Sequence, residues 1–198
     1  MKVIKGSVYD CRQIAQVYSE AFPESVDLFF KSKSKTQLLD LLEHSFMLIF
    51  FWGGQAFIAQ NEAGEVKGYC LYISKYLSRE KRNYKALIRI IPRFVGKISL
   101  KEISLLLRNK LALVKTRKGK HRTSAQIVSI AVVSSEQGKG LGRTLLESAL
   151  TQMDKETVGL NVRAQNISAR SLYEKVGFRK FGSSTDLSGK WISMVKKP

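Results

Sequence analysis

Between residues 126 and 176 the periodicity of the chain switches repeatedly, and this alternation limits the fold more than any other feature. The β-branched run Ile127, Val128, Ile130, Val132 and Val133 predicts a strand over residues 126–133. A glycine-rich turn follows, and then Leu141, Leu145, Leu146, Ala149, Leu150 and Met153 recur at three- and four-residue steps, predicting a helix over 140–153. A second strand (158–164) and a second helix (167–176) complete the pattern. A helical crossover returns the chain in its original direction, so strands 126–133 and 158–164 are expected to be parallel. Two short strands at 180–182 and 191–195, with 183–190 as the loop between them, are expected to follow.

Upstream, apolar residues from Cys11 to Phe22 fall on one helical face, and Pro23 ends that helix. A second helix is expected over 36–44, and Gly53-Gly54 marks the next break. Residues 55–60 and 66–74 suit an antiparallel strand pair joined by the turn 61–65. The expected fold class is therefore α/β (α+β), a mixed central sheet with helices on both faces.

The turn before helix 140–153 carries the clearest chemistry: Gln137-Gly138-Lys139-Gly140-Leu141-Gly142-Arg143. Glycines let backbone approach a phosphate closely, while free N–H groups and the helix dipole stabilise the anion. Lys139 and Arg143 add positive charge beside it. A Walker loop would need Lys-Ser/Thr after its last glycine, where this chain has Arg143 and Thr144. A dinucleotide fingerprint would need glycine at 143. A strand-to-helix turn that binds nothing is the remaining alternative.

At these residues the chain resembles the GNAT superfamily of acyl-CoA N-acyltransferases, whose pyrophosphate loop reads Gln/Arg-x-x-Gly-x-Gly/Ala and is matched by Gln137, Gly140 and Gly142. Asn166, Ala169, Tyr173, Gly177 and Phe178 fit that family's second element, Asn-x-x-Ala-x-x-x-Tyr-x-x-x-Gly-Phe. The resemblance implies a single domain over residues 1–198 with the GNAT fold, using acetyl-CoA and no metal. Its cofactor contacts fall on the turn from Gln137 to Arg143 (with Gly138, Lys139 and Leu141), on Asn166 and Tyr173, and on main-chain groups of Ile130, Ala131 and Val132. An N–H near Val132 is the implied oxyanion donor, and Tyr173 the implied acid that protonates the departing thiolate. Locally, Asn166 also suits a helix cap and Gly177 a helix stop, and Tyr173 also suits an aromatic packed in the core.

Many members of the family carry a carboxylate on the strand before the pyrophosphate loop, to take the proton of the incoming amine. Here Ser124 and Ser129 occupy that strand. Glu20, Glu24 and Asp27 are the substitutes, and Glu24 is preferred; a water chain is the alternative. The lack of a strand carboxylate leaves a second class open, an acyl-CoA-binding sensor or interaction module without catalysis.

Residues 75–122 hold 16 basic and 2 acidic side chains, a net +14 of the chain's +18. In most relatives the flanking strands are joined by a short connection, so this stretch reads as a basic helical insertion between the third and fourth strands. Its two amphipathic stretches, 84–95 and 100–114, are broken near Pro92 and Gly96. It suits a lid over the acceptor pocket, an interfacial helix pair on anionic membrane, or a nucleic-acid face. Nucleic acid ranks last for want of a recognition motif. The amine acceptor itself is not legible.

Cys11 and Cys70, without C-x-x-C spacing, and the two histidines do not suit a zinc site. The start of the chain turns polar too early for a signal peptide, and the longest apolar run, 46–52, is far short of the roughly 20 residues that cross a bilayer. A cytoplasmic location, peripheral at a membrane at most, is the expectation.

Overall fold

A computed structural model describes residues 1–76, 91–92, 94–119 and 121–198. Among these, seven strands form one sheet in the order β1-β2-β3-β4-β5-β7-β6. The strands are β1 (Lys2–Gly6), β2 (Gly54–Gln60), β3 (Val66–Ser74), β4 (Ala125–Val132), β5 (Val158–Arg163), β6 (Arg179–Asp186) and β7 (Gly189–Lys196). The α-helices are α1 (Cys11–Ala21), α2 (Pro23–Phe30), α3 (Lys35–Phe51), α4 (Leu100–Thr116), α5 (Leu141–Thr151) and α6 (Ile167–Lys175). The arrangement is the expected mixed sheet with helices on both faces.

Two apolar clusters sandwich the sheet. On one face Leu145, Leu146 and Ala149 of α5, with Met153 just beyond its end, pack with Cys70, Tyr72, Ile127, Tyr173 and Phe178. On the other, Cys11, Ile14 and Val17 of α1 and Leu38, Leu42 and Phe46 of α3 pack on Ile58, Tyr69 and Leu71. Both cysteines are free and buried, and they lie in clusters on opposite faces, so they do not form a disulfide.

Several elements differ from expectation. The edge strand β1 was not foreseen; its five residues alternate too briefly to stand out and gain their order from pairing with β2. Pro23 ends α1 but also opens α2 as its first residue, where a missing N–H costs nothing. Helix α3 runs seven residues beyond residue 44, because the apolar stretch after Ser45 continues it up to the left-handed Gly53. The polar stretch expected as a loop at 183–190 is the paired tip of a hairpin: Asp186 pairs with Gly189 across a two-residue turn. Its serines and threonines are held by tertiary bonds that local sequence does not display.

Three of those bonds come from the insertion. Thr116 exchanges two 2.7 Å hydrogen bonds with the backbone of Thr185, and Asn109 accepts from the Leu187 N–H at 2.9 Å. A side chain at Gly182 would sit 2.2 Å from the Lys118 carbonyl, so glycine is what lets the end of the insertion lie against β6. At its other end, Lys33 pairs with Glu102 at 3.0 Å and Lys97 with Asp40 at 2.8 Å. Helix α4 thus lies between α2 and β6. The helix expected over 84–95 falls mostly outside the described residues.

Candidate active site

Among the described residues the one parallel pair of neighbouring strands, β4 and β5, is joined at two positions, Ala125↔Val158 and Gln126↔Gly159, and then separates. A bulge lies just past that point. Register with β3 runs from Gly68↔Val132 to Leu71↔Ser129 and resumes at Tyr72↔Ile127, leaving Val128 as an extra residue. A bulge bends its strand and increases its twist, which turns the rest of β4 away from β5 and opens a gap in the sheet.

The phase of the β3–β4 ladder decides which backbone groups face that gap. The Val133 N–H donates to the Lys67 carbonyl at 2.9 Å, so Gly68↔Val132 is a non-hydrogen-bonded pair. The N–H and C=O of Val132, and by alternation those of Ile130, therefore point away from β3 toward the gap. Those of Ala131 face β3. The Gln137 amide donates to the Val132 carbonyl at 2.9 Å, which satisfies that acceptor and leaves the Val132 N–H directed into the opening.

Beside the gap lies the glycine turn. Gly138 and Gly140 adopt positive φ of 77° and 83°, and a side-chain carbon added to either would meet nothing within 4 Å. Gly140 caps α5 without any side-chain bond, and the first intrahelical donor is Thr144, bonding Gly140. The N–H groups of Leu141, Gly142 and Arg143 thus have no intrahelical acceptor. A methyl at Gly142 would lie 3.8 Å from Val132 and 3.9 Å from Leu172, so the turn, the end of β4 and α6 converge. Lys139 and Arg143 make surface ion pairs with Glu136 and Glu147 at 3.1 and 2.8 Å. Such pairs are worth at most about 1 kcal/mol, so either cation can be redirected to a phosphate at small cost.

Asn166 caps α6 by accepting from the Ala169 N–H at 3.0 Å, and Gly177 (φ 96°) ends it. Tyr173, in between, is only 6% exposed and packs edge-on against Phe178. Its hydroxyl forms no hydrogen bond with the described residues. Burial, with a smaller contribution from Cys70, raises its pKa above the ordinary phenol range, so the proton stays on the oxygen.

On the opposite face of β4 the bulge turns Ser129 toward α1, where its hydroxyl shares a 2.7 Å hydrogen bond with Tyr69. Phe46 and Tyr18 extend an aromatic wall from Tyr69, with ring centroids 5.8 Å apart at each step. Glu20 accepts from the Ser134 N–H at 3.0 Å and so braces the start of the glycine turn. Glu24 and Asp27 are exposed on α2, and Glu24 forms no hydrogen bond or ion pair with the described residues. Among the described residues no group of three or more His, Cys, Asp or Glu side chains could hold a metal.

A polar knot that sequence reading missed lies at the end of β5. Arg163 stacks 3.9 Å over Trp191 and bonds Asp186 at 2.8 Å, while the Trp191 indole N–H donates to the same carboxylate at 2.8 Å. Burial alone would raise the Asp186 pKa, but the donors from Arg163, Trp191 and Ser188 outweigh it and hold the carboxyl below its ordinary value. The sign follows: this contribution is present above the unfolded value of about 4 and is lost as pH falls through the lower folded value. Asp186→Ala, which strands a mostly buried guanidinium, should cost about 3 kcal/mol at neutral pH. Urea unfolding at neutral and acid pH should show that penalty shrinking as the medium is acidified.

The chain is similar to known proteins in sequence and in fold. Residues 111–197 match the family model described as an acetyltransferase (GNAT) domain. An N-alpha-acetyltransferase of Sulfolobus acidocaldarius is 30% identical over 180 residues, covering 88% of this chain and 77% of that protein. The chain belongs to the GNAT acetyltransferase family. The [ribosomal protein bS18]-alanine N-acetyltransferase of Escherichia coli K12 is 42% identical over a shorter stretch of 59 residues, 28% of this chain and 40% of that enzyme. An N-acetyltransferase structure from Staphylococcus aureus Mu50 shares the fold, with a TM-score of 0.66 at 19% identity over 98% of this chain and 100% of that one. The GNAT motifs read from the sequence lie within the matched domain. Tyr18, Tyr69, Arg163 and Asp186 were not singled out, because no local spacing links residues brought together from α1, β3, β5 and β6.

Proposed function

We propose that the chain is one acetyltransferase unit that moves an acetyl group from acetyl-CoA to a primary amine by direct attack in a ternary complex. The observation that carries this is the Val132 N–H directed into the β4–β5 gap, beside a helix start whose N–H groups lack side-chain caps. These parts fit an acyl-CoA. The turn from Gln137 to Arg143 receives the phosphates, and Ile130 and Val132 bond the pantetheine arm through their main chain. The Val132 N–H stabilises the negative oxygen that forms when the amine attacks the thioester carbon. As the carbon–sulfur bond breaks, Tyr173 gives its proton to the sulfur.

The amine must lose a proton on the other side of β4. Ser129 and Tyr69 offer a hydroxyl pair there, which relays the proton through water to Glu24, the carboxylate exposed in the first turn of α2. Helix α4, lying between α2 and β6, closes this side. The names of two relatives, a bS18-alanine N-acetyltransferase and an N-alpha-acetyltransferase, favour the α-amine of a polypeptide as acceptor.

The hydroxyl in place of a strand carboxylate supports a second reading, acyl-CoA binding without transfer. One experiment separates the two. Purified protein is given acetyl-CoA with peptides bearing free or blocked N-termini, with and without lysine, and both CoA release and peptide mass are followed. Acetylation confined to free N-termini is the expected result. Acetyl-CoA binding without transfer to any amine would establish the second reading.

A further inference from the structure

We propose that the outer face of α4 docks the protein onto the surface of an anionic membrane. The helix is amphipathic in an inverted sense. Its inward line, Glu102, Asn109 and Thr116, is polar and spaced by seven, and each of the three is fixed to the body of the protein: Glu102 to Lys33, Asn109 to the Leu187 N–H, Thr116 to Thr185. Half a turn away, Leu100, Leu107, Leu111 and Val114 are 86, 56, 58 and 65% exposed. At 100° per residue these four fall within one narrow stripe. A third line, Lys101, Arg108 and Lys115, again spaced by seven and exposed, flanks the stripe on one side, and Lys110 flanks it on the other.

The inner anchors fix the helix orientation, so the leucines cannot be turned inward without breaking three tertiary contacts. A stripe of aliphatic side chains bordered by cations matches the boundary between headgroups and acyl chains, where a helix about 25 Å long can lie flat. Among the described residues no helix is long and apolar enough to cross a bilayer, so contact is interfacial. Charge selects the occupant. Residues 75–122 carry a net +14, and a second copy of the same face would oppose like rows of cations, whereas anionic headgroups pair with them. Nucleic acid would satisfy the cations and leave the leucines in water.

The full chain should cosediment with vesicles of phosphatidylcholine mixed with phosphatidylglycerol, and not with vesicles of phosphatidylcholine alone. Added salt should weaken the binding. Leu107→Ser with Leu111→Ser should reduce it about tenfold or more, through lost apolar burial. Lys101→Glu with Arg108→Glu and Lys115→Glu should reduce it about 100-fold or more. All five positions are exposed, and unchanged melting temperatures would show that the variants remain folded. Absence of binding to both vesicle types overturns the proposal, as does equal binding to both. Full binding by the folded serine variant also overturns it, since charge alone would then suffice. So does a salt-stable dimer that the serine changes dissolve, because a second copy would then own the face.

Discussion

Gly140→Glu is expected to abolish acetyl-CoA binding while leaving the protein folded. The two halves of that expectation rest on different observations. A left-handed residue other than glycine costs roughly 1–2 kcal/mol, and at φ 83° Gly140 would incur that strain. No clash is added, because nothing lies within 4 Å of the new side-chain carbon. The total is small beside the 5–15 kcal/mol of a typical domain. Binding suffers far more, since the carboxylate enters the space in front of the Leu141, Gly142 and Arg143 N–H groups, where it occupies the anion site and repels phosphate. A loss of at least about 100-fold in affinity is expected. Calorimetric titration with acetyl-CoA, alongside thermal melting, tests both halves. Gly140→Ala supplies the control, with the same strain and no charge; near-normal affinity for the glutamate variant would remove the turn from the binding site.

Tyr173→Phe should lower kcat by about 10²-fold or more, with acetyl-CoA affinity nearly unchanged. Because the hydroxyl has no partner among the described residues, deleting it orphans no donor or acceptor, and stability should hold or rise slightly. That combination distinguishes a proton donor from a packing aromatic, whose removal of one oxygen would leave turnover intact. The raised pKa adds a second signature. An ordinary phenol ionises near pH 10, but burial keeps this one protonated beyond that, so the wild-type rate should not fall from loss of this acid as pH rises from 7 toward 10. Full activity of the phenylalanine variant with its best amine would assign protonation of the thiolate to water.

The legible parts of this protein are those whose signal is periodic or conformational. Strand β3 was placed residue for residue, and the ends of α5 and β4 fell within two, because their apolar spacing answers to a core they directly touch. The glycine turn was legible because positive φ leaves a mark in composition. The misses have a common cause in order supplied from elsewhere. Hairpin β6–β7 is polar along the stretch that α4 holds through Thr116 and Asn109, and β1 is short and lies on an edge. The sequence motif could name Ile130, Ala131 and Val132 together, but only the ladder phase separates Ile130 and Val132, which face the gap, from Ala131, which does not. The Ser129–Tyr69 pair was illegible for a related reason. A single bulged residue, Val128, decides that Ser129 meets Tyr69 on the α1 face, and a bulge has no dependable sequence mark.

The opening between β4 and β5 also makes the sheet incomplete from within. Past Gln126 and Gly159 two strands lie side by side with no ladder joining them, so each is an edge strand in the middle of a sheet. Edges normally invite another chain to pair, and here the vacancy is narrow and flanked by α5 and α6. A donor molecule bound as proposed, with its amide-bearing arm bonded to Ile130 and Val132, would take the part of a missing strand. Its occupancy would then contribute to folding as well as to chemistry, since whatever binds only the folded form stabilises it in proportion to the logarithm of its concentration. The protein's resistance to unfolding would therefore track the supply of its own acyl donor.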